Sequence, residues 1–174
     1  MDAWLDIINA KGVLTEVRED YEFIREIGSG NYAKVYLVRC HEDGLNYAIK
    51  SISKETISKN ARNFTALINE IDVMRYVRHP CVLSIERVYE DVEHIHLVID
   101  YVSGGELFTR IIKRGKFSEK TAALFAQNLL VALDYLHSNG VVHRDLKPEN
   151  IIMTSQTEDT EFRIADFGLA TFVD

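Results

Sequence analysis

His143-Arg144-Asp145-Leu146-Lys147-Pro148-Glu149-Asn150, followed by Asp166-Phe167-Gly168, is the stretch on which the reading of this chain turns. Short β-prone runs surround it, Val141-Val142, Ile151 to Met153 and Phe162 to Ile164, so its polar residues sit on loops between brief strands. Immediately upstream lies the densest apolar run, Thr121 to Leu136, interrupted by Gln127, Asn128 and Asp134. It is too short to cross a bilayer of about 30 Å and reads as a buried core helix. Ser118 is a good N-cap for that helix, and Asn139-Gly140 supplies a left-handed stop. A shorter helix spans Glu106 to Lys113 after the Ser103-Gly104-Gly105 break.

Further toward the N-terminus the texture changes. Tyr21 to Ile27, Lys34 to Cys40 and Tyr47 to Ser51 are β-prone runs separated by glycine and polar turns, which predicts three strands of an antiparallel meander. Phe64, Leu67, Ile71, Met74 and Val77 then recur at three- and four-residue spacing until His79-Pro80, which predicts a helix with Glu70 at the edge of its apolar stripe. Two more strands follow, Val82 to Tyr89 and His94 to Asp100. A short helix is expected between Trp4 and Gly12, in a flanking arm.

Two features of this region bear on chemistry. Gly28-Ser29-Gly30-Asn31-Tyr32-Ala33 forms a glycine-rich turn between strands, where backbone amides can approach a polyphosphate unobstructed by a Cβ. It is neither a Walker A loop nor a dinucleotide fingerprint, because Ala33-Lys34-Val35 lacks the further glycine and leads into a strand instead of a helix. In Tyr47-Ala48-Ile49-Lys50, a lysine stands in an apolar strand, where a buried ammonium requires an anionic partner. Glu70 can supply it. The competing reading of this pair alone is that Lys50 snorkels to water and Glu70 is solvated.

The glycine loop, strand lysine, helix glutamate, His-Arg-Asp loop and Asp-Phe-Gly turn occur in the order found in protein kinases, and the chain closely resembles that family from Tyr21 to Asp174. The resemblance implies an α+β, protein-kinase-like fold: a complete five-stranded N-lobe with one main helix over residues 21–102, and the first part of a mainly helical C-lobe over 103–174. Residues 1–20 form the flanking arm. It implies ATP and Mg²⁺ as cofactors. Lys50 is then expected to hold the α- and β-phosphates, Glu70 to orient Lys50, and Asp145 to accept or orient the proton of the substrate hydroxyl. Lys147 is expected near the γ-phosphate, and Asp166 and Asn150 are expected to bind Mg²⁺. By the same resemblance Ile27, Gly28, Ser29 and Gly30 cover the nucleotide, while Val35, Ala48 and Ile152 sandwich adenine. Ile99 is the gatekeeper, the backbone of Asp100 and Val102 forms the hinge, and Glu106 meets the ribose. Met74, Ile85, His143 and Phe167 would stack as the family's regulatory spine.

The Leu146-Lys147-Pro148-Glu149-Asn150 wording resembles the serine/threonine branch and disfavours a metabolic small-molecule kinase. Tyr101 to Phe108, His79-Pro80-Cys81 and Gly140 to His143 resemble the calcium/calmodulin-dependent and checkpoint-kinase-like group. The implied partners are a protein substrate with a Ser/Thr acceptor and a regulatory protein such as calmodulin. Ala33 replaces the third glycine of the phosphate loop, a mild departure. The Ala-Pro-Glu motif and the lower helices of the family are absent before Asp174, so the Thr121 to Leu136 helix is expected to expose apolar surface. The competing function is a non-catalytic ATP-binding or interaction module, a pseudokinase-like regulator.

Composition sets outer limits. A net charge of -7 argues against a nucleic-acid footprint, no membrane association is expected, and the expected setting is the cytoplasm, with the nucleus left open. Cys40 and Cys81 are expected to be buried free thiols. His94 and His96 alternate on one strand, but no third ligand is suggested nearby, so no metal is expected there.

Overall fold

The computed structural model describes residues 14–30, 33–59 and 61–173; the helix expected between Trp4 and Gly12 lies outside them. The chain forms two compact units. The first comprises the described residues up to Phe64 together with Ile85–Tyr101, and the second comprises Thr65–Ser84 together with the described residues from Val102 onward.

The first unit is built on a sheet of β1 (Tyr21–Ser29), β2 (Ala33–Cys40), β3 (Asn46–Ser53), β4 (Ile85–Glu90) and β5 (His94–Asp100). Its order is β1-β2-β3-β5-β4, antiparallel at every pairing. The first three strands are the meander that the turn spacing predicts. Because side chains alternate along a strand, the register places Tyr36, Ile49 and Val98 on one face and Val35, Lys50 and Leu97 on the other. Val38, Ile49 and Val98 are fully buried on the first of these faces, with Tyr21 and Tyr89 edge-to-face at 5.9 Å. A one-residue slip would move this core to the opposite face, so its burial sets the register.

The residues before β1 pack onto this sheet. Leu14 N donates to Val88 O at 2.9 Å and Leu14 O accepts from Glu90 N at 2.8 Å, which pairs Leu14 with the β4 edge. A one-turn helix, α1 (Val17–Asp20), buries Val17 in the same core cluster as Tyr21. A second short helix, α2 (Lys54–Ser58), follows β3 and has no counterpart in the sequence reading, because a five-residue helix carries too little periodicity to register.

The second unit contains α3 (Ala61–Tyr76) from Thr65 onward, α4 (Leu107–Arg114), α5 (Glu119–Ser138), a 3₁₀ turn (Pro148–Asn150) and the short strands β6 (Val141–Val142), β7 (Ile151–Met153), β8 (Phe162–Ile164) and β9 (Thr171–Phe172). Leu67, Ile71, Met74 and Val77 are buried, as the α3 stripe requires. The expected strand from Val82 is corrected: β4 begins at Ile85, while Val82 and Leu83 join the second unit, Leu83 N donating to Ile164 O at 2.9 Å. Both cysteines are free thiols, Cys40 buried and Cys81 only half-buried.

Ser118 caps α5 as expected, its hydroxyl accepting from Thr121 N at 3.0 Å, and Gly140 takes the left-handed φ of 68° after it. The expectation of a buried α5 fails. Only Ala132 and Leu136 are buried, whereas Leu130 and Val131 are 66% and 54% exposed. Within this unit α5 is engaged through one side, by Phe125 against Phe162 with ring centres 4.6 Å apart and by Asn128 Nδ2 on Thr160 O. Leu124, Leu130 and Val131 face outward, as the companion expectation of exposed apolar surface states. Among the described residues no helix is long and apolar enough to cross a membrane.

Gly104 fastens the entry to α4 onto β7: its amide donates to Met153 O at 2.9 Å, and Met153 N donates to Gly105 O at 2.8 Å. A Cβ on Gly104 would overlap the carbonyls of Met153 and Ser155, which are backbone and cannot rotate away. Gly104→Ala is expected to lower the unfolding free energy by about 2 kcal/mol, read from urea denaturation against the parent chain.

Candidate active site

The loop after β6 is held from two sides. Val141 and Val142 pair with Phe172 and Thr171 of β9, which brings the chain back alongside the start of the loop. His143 is buried, and its Nε2 lies 3.0 Å from Ala165 O while its Nδ1 lies 3.3 Å from Asp145 N. A carbonyl only accepts and an amide N–H only donates, so Nε2 carries the proton and Nδ1 accepts from Asp145. The His143 ring meets Phe167 edge-on, with centres 4.8 Å apart, and Phe167 is fully buried.

Arg144 and Asp166 have φ of 64° and 62°, the left-handed region that costs a non-glycine residue about 1 kcal/mol or more. At Arg144 the conformation is held by its own guanidinium, whose Nε donates to Leu169 O at 2.6 Å and whose Nη2 donates to Ala170 O at 3.3 Å. Asp145 then projects a carboxylate whose Oδ2 accepts from Lys147 Nζ at 2.7 Å and from Asn150 Nδ2 at 2.9 Å. The same Nδ2 donates to Asp145 O at 2.9 Å. Because the Asn150 nitrogen is committed to Asp145, its amide oxygen is the atom it can offer to a cation.

The peptide at Ala165 joins this loop to the Asp166 turn. Ala165 N donates to Asn150 O at 2.9 Å, and Ala165 O accepts from His143. Asp145, Lys147, Asn150 and Asp166, spread over two motifs in sequence, are thereby brought into one cluster. The Lys147 hydrogen bond lowers the Asp145 pKa below its ordinary 3.8, against the opposing effect of burial and with help from Asn150. Reciprocally, Asp145 raises the Lys147 pKa, with Asp166 contributing at longer range.

The remaining expected positions divide between the units. In the first, Lys50 stands between Val35 and Leu97 in register, and Ala48 between Leu37 and Ile99, so Val35, Ala48, Lys50 and Ile99 share one face of three adjacent strands. Lys50 is half-buried. Ile27 sits at an irregularity of β1, Gly28 and Ser29 pair with Val35 and Lys34, and Gly30 N donates to Ala33 O at 2.9 Å. Asp100 ends β5 opposite Tyr47, and Ile85 pairs with Ile99. In the second unit Glu70 is buried on α3, Val102 is half-buried, and Glu106 bridges Ile152 across an antiparallel contact.

One supporting residue escaped the sequence reading. Arg110 is buried on α4, and its guanidinium donates to Glu158 O at 2.7 Å, Asp159 Oδ1 at 3.0 Å and Gly104 O at 3.1 Å, and also to Ser155 O. It ties the Gly104-Gly105 turn before α4 to the β7–β8 connection. The only signal for it was a charge on a short helix, which ordinarily marks a solvated face. Among the described residues no group of three or more His, Cys, Asp or Glu is placed to hold a metal ion.

A loop presenting an aspartate bonded to a lysine and an asparagine and clipped to a second aspartate, in a chain that also carries a five-stranded antiparallel sheet with a lysine beside a glycine hairpin, characterises an α+β domain. The family model described as "Protein kinase domain" matches residues 21–174, and the chain belongs to that family. It is 40% identical over 165 residues to a calcium/calmodulin-dependent protein kinase type 1 of Macrobrachium nipponense, covering 94% of this chain and 47% of the relative. It is 42% identical over 154 residues to a probable myosin light chain kinase of Dictyostelium discoideum, covering 88% and 47%. A calcium/calmodulin-dependent protein kinase type 1B of Rattus norvegicus is 39% identical over 156 residues, covering 89% and 44%. The chain thus spans about half the length of the curated relatives it matches.

Removing the ammonium partner should release Asp145. In Lys147→Ala the Asp145 carboxyl is expected to titrate at higher pH than in the parent, followed by the NMR shift of its carboxyl carbon; an unchanged midpoint would mean that Lys147 does not set its charge.

Proposed function

We propose that this chain is the catalytic region of a protein serine/threonine kinase that transfers the γ-phosphate of Mg-ATP to a Ser or Thr hydroxyl of a protein. The observation that carries the reading is the Asp145 carboxylate, ionised and held by Lys147 and Asn150 on a loop clipped through Ala165 to Asp166.

Phosphoryl transfer calls for charge neutralisation and alignment more than for covalent help. Lys147 supplies a cation beside Asp145. Lys50, beside the glycine hairpin, supplies a second one for the nucleotide phosphates. Asp145, with its pKa held below the ordinary carboxylate range, is a weak base at neutral pH. Its role is to accept a hydrogen bond from the substrate hydroxyl and align the oxygen, taking the proton late, when the hydroxyl oxygen has become acidic through bonding to phosphorus. Lys147 holds the carboxylate in place for that contact.

The donor set fits Mg²⁺. Asp166 offers a carboxylate and Asn150 an amide oxygen, hard donors in a number that leaves the remaining positions to phosphate and water, as this ion prefers. Bound there, the ion supplies neutralisation of the phosphate charge. For the nucleotide base, Val35, Ala48 and Ile99 offer an apolar surface on one sheet face, and Asp100 and Val102 offer backbone groups. Calmodulin, which appears in the names of relatives near 40% identity, is the proposed regulatory partner.

The test is Mg-ATP-dependent labelling of a basic Ser-containing peptide by the purified chain. Asp145→Ala and Lys50→Met are each expected to lower transfer by about two orders of magnitude or more. Stabilisation by Mg-ATP in a thermal melt with no transfer in the parent chain would favour a non-catalytic nucleotide-binding module.

A further inference from the structure

On the sheet face opposite Lys50, Ser51 of β3 stands across from His96 of β5. Ser51 Oγ and His96 Nδ1 are 2.8 Å apart, and His96 Nε2 lies 2.9 Å from Asp91 Oδ2. Asp91 is itself fixed, its Oδ1 accepting from the amides of Glu93 at 2.8 Å and His94 at 2.7 Å. Burial raises the Asp91 pKa, but the hydrogen bonds from His96 and the two amides outweigh it and hold it at about 2. An ionised carboxylate only accepts, so His96 Nε2 carries the proton and Nδ1 accepts from the Ser51 hydroxyl. His96 is buried, and its burial keeps its pKa below the ordinary value against the pull of Asp91, so the ring is neutral at pH 7.

A hydroxyl bonded to a neutral imidazole that a carboxylate orients is the arrangement that activates a serine. Ser51 also borders an open cleft of about 180 Å³, whose lining includes Lys34, Ser53, Thr56 and His94. That volume falls below the roughly 300–1,000 Å³ of sites for larger ligands and limits an occupant to a short chain. Lys34, Ser53 and Thr56 bring hydrogen-bond donors to the lining of that cleft, the kind of group that stabilises a developing oxyanion. The cleft also borders Gly30 of the glycine-rich turn, but Ser51, His96 and Asp91 are not among the residues expected at the phosphoryl-transfer site.

From this geometry we infer that Ser51 is a nucleophilic serine that accepts a short acyl group from an activated ester or thioester, with His96 as its base and Asp91 as the positioning residue. Ser51 Oγ forms a bond to the carbonyl carbon, and the bond from that carbon to the leaving oxygen or sulfur breaks. The hydroxyl proton passes to His96 Nδ1 and then to the leaving group, which departs as the alcohol or thiol. No oxidant, reductant or further reactant is needed.

The test uses p-nitrophenyl acetate on the full chain, with intact mass and peptide mapping of the acetylated site. Acetylation at Ser51 is expected, absent in Ser51→Ala and slowed about a hundredfold in His96→Gln. Where His96→Gln does not fold, Asp91→Asn carries the same comparison, with slowing again expected. Acetyl groups confined to lysines, or Ser51 acetylated at an unchanged rate in a folded His96→Gln or Asp91→Asn variant, would overturn the inference.

Discussion

The peptide group of Ala165 is the point on which the catalytic cluster depends. Its N–H is spent on Asn150 and its carbonyl on His143, so one residue with no functional side chain fixes the Asp145 loop and the Asp166 turn to each other. Such backbone contacts are specific where a side-chain contact would be adaptable, because a peptide plane has no rotamers to exchange. The left-handed conformations of Arg144 and Asp166 are tolerable only in such a frame. Arg144 adds a grip on the carbonyls of Leu169 and Ala170, and the β6–β9 pairing returns the chain to the start of the loop.

The sheet of the first unit uses its two faces differently. Val38, Ile49 and Val98 bury one part of the sheet with the tyrosine cluster, and the alternation that puts them there also directs Lys50 to the opposite face. The Ser51–His96–Asp91 chain of hydrogen bonds sits on the Ile49 side. A polar network in a partly buried place is stabilising only when each member is satisfied, and here backbone amides complete the valence of Asp91. His94 and His96, which read in sequence as a pair without a third metal ligand, have distinct surroundings: His96 is held between a serine and a carboxylate, and His94 stacks on it with ring centres 5.8 Å apart.

Membership in the protein kinase family was legible in five short motifs, because phosphate chemistry constrains residue type and order far more tightly than packing does. The strands β1 to β3, the α3 stripe and the Ser118 cap were legible for a different reason: each rests on interactions within a few residues. The misreadings had a common cause. Val82 looked like the continuation of a strand but pairs with Ile164, far along the chain, and α5 looked buried because an apolar run does not say whether a neighbour covers it. Arg110 was not singled out, because a guanidinium with four carbonyl and carboxylate acceptors, three of them from the β7–β8 connection, leaves no mark in local sequence.

What the sequence by itself determined was the list of chemical parts, the strand and helix periods and the family, since these follow from local geometry and from the residue types a phosphoryl-transfer loop needs. Only the tertiary structure decided which atoms meet. That Lys147 bonds Asp145, that Asn150 commits its nitrogen and keeps its oxygen, and that Ser51 finds His96 are outcomes of long-range register and of loop closure. Periodicity cannot report them, because a hydrogen bond between distant residues depends on angles and distances set by the whole packed unit.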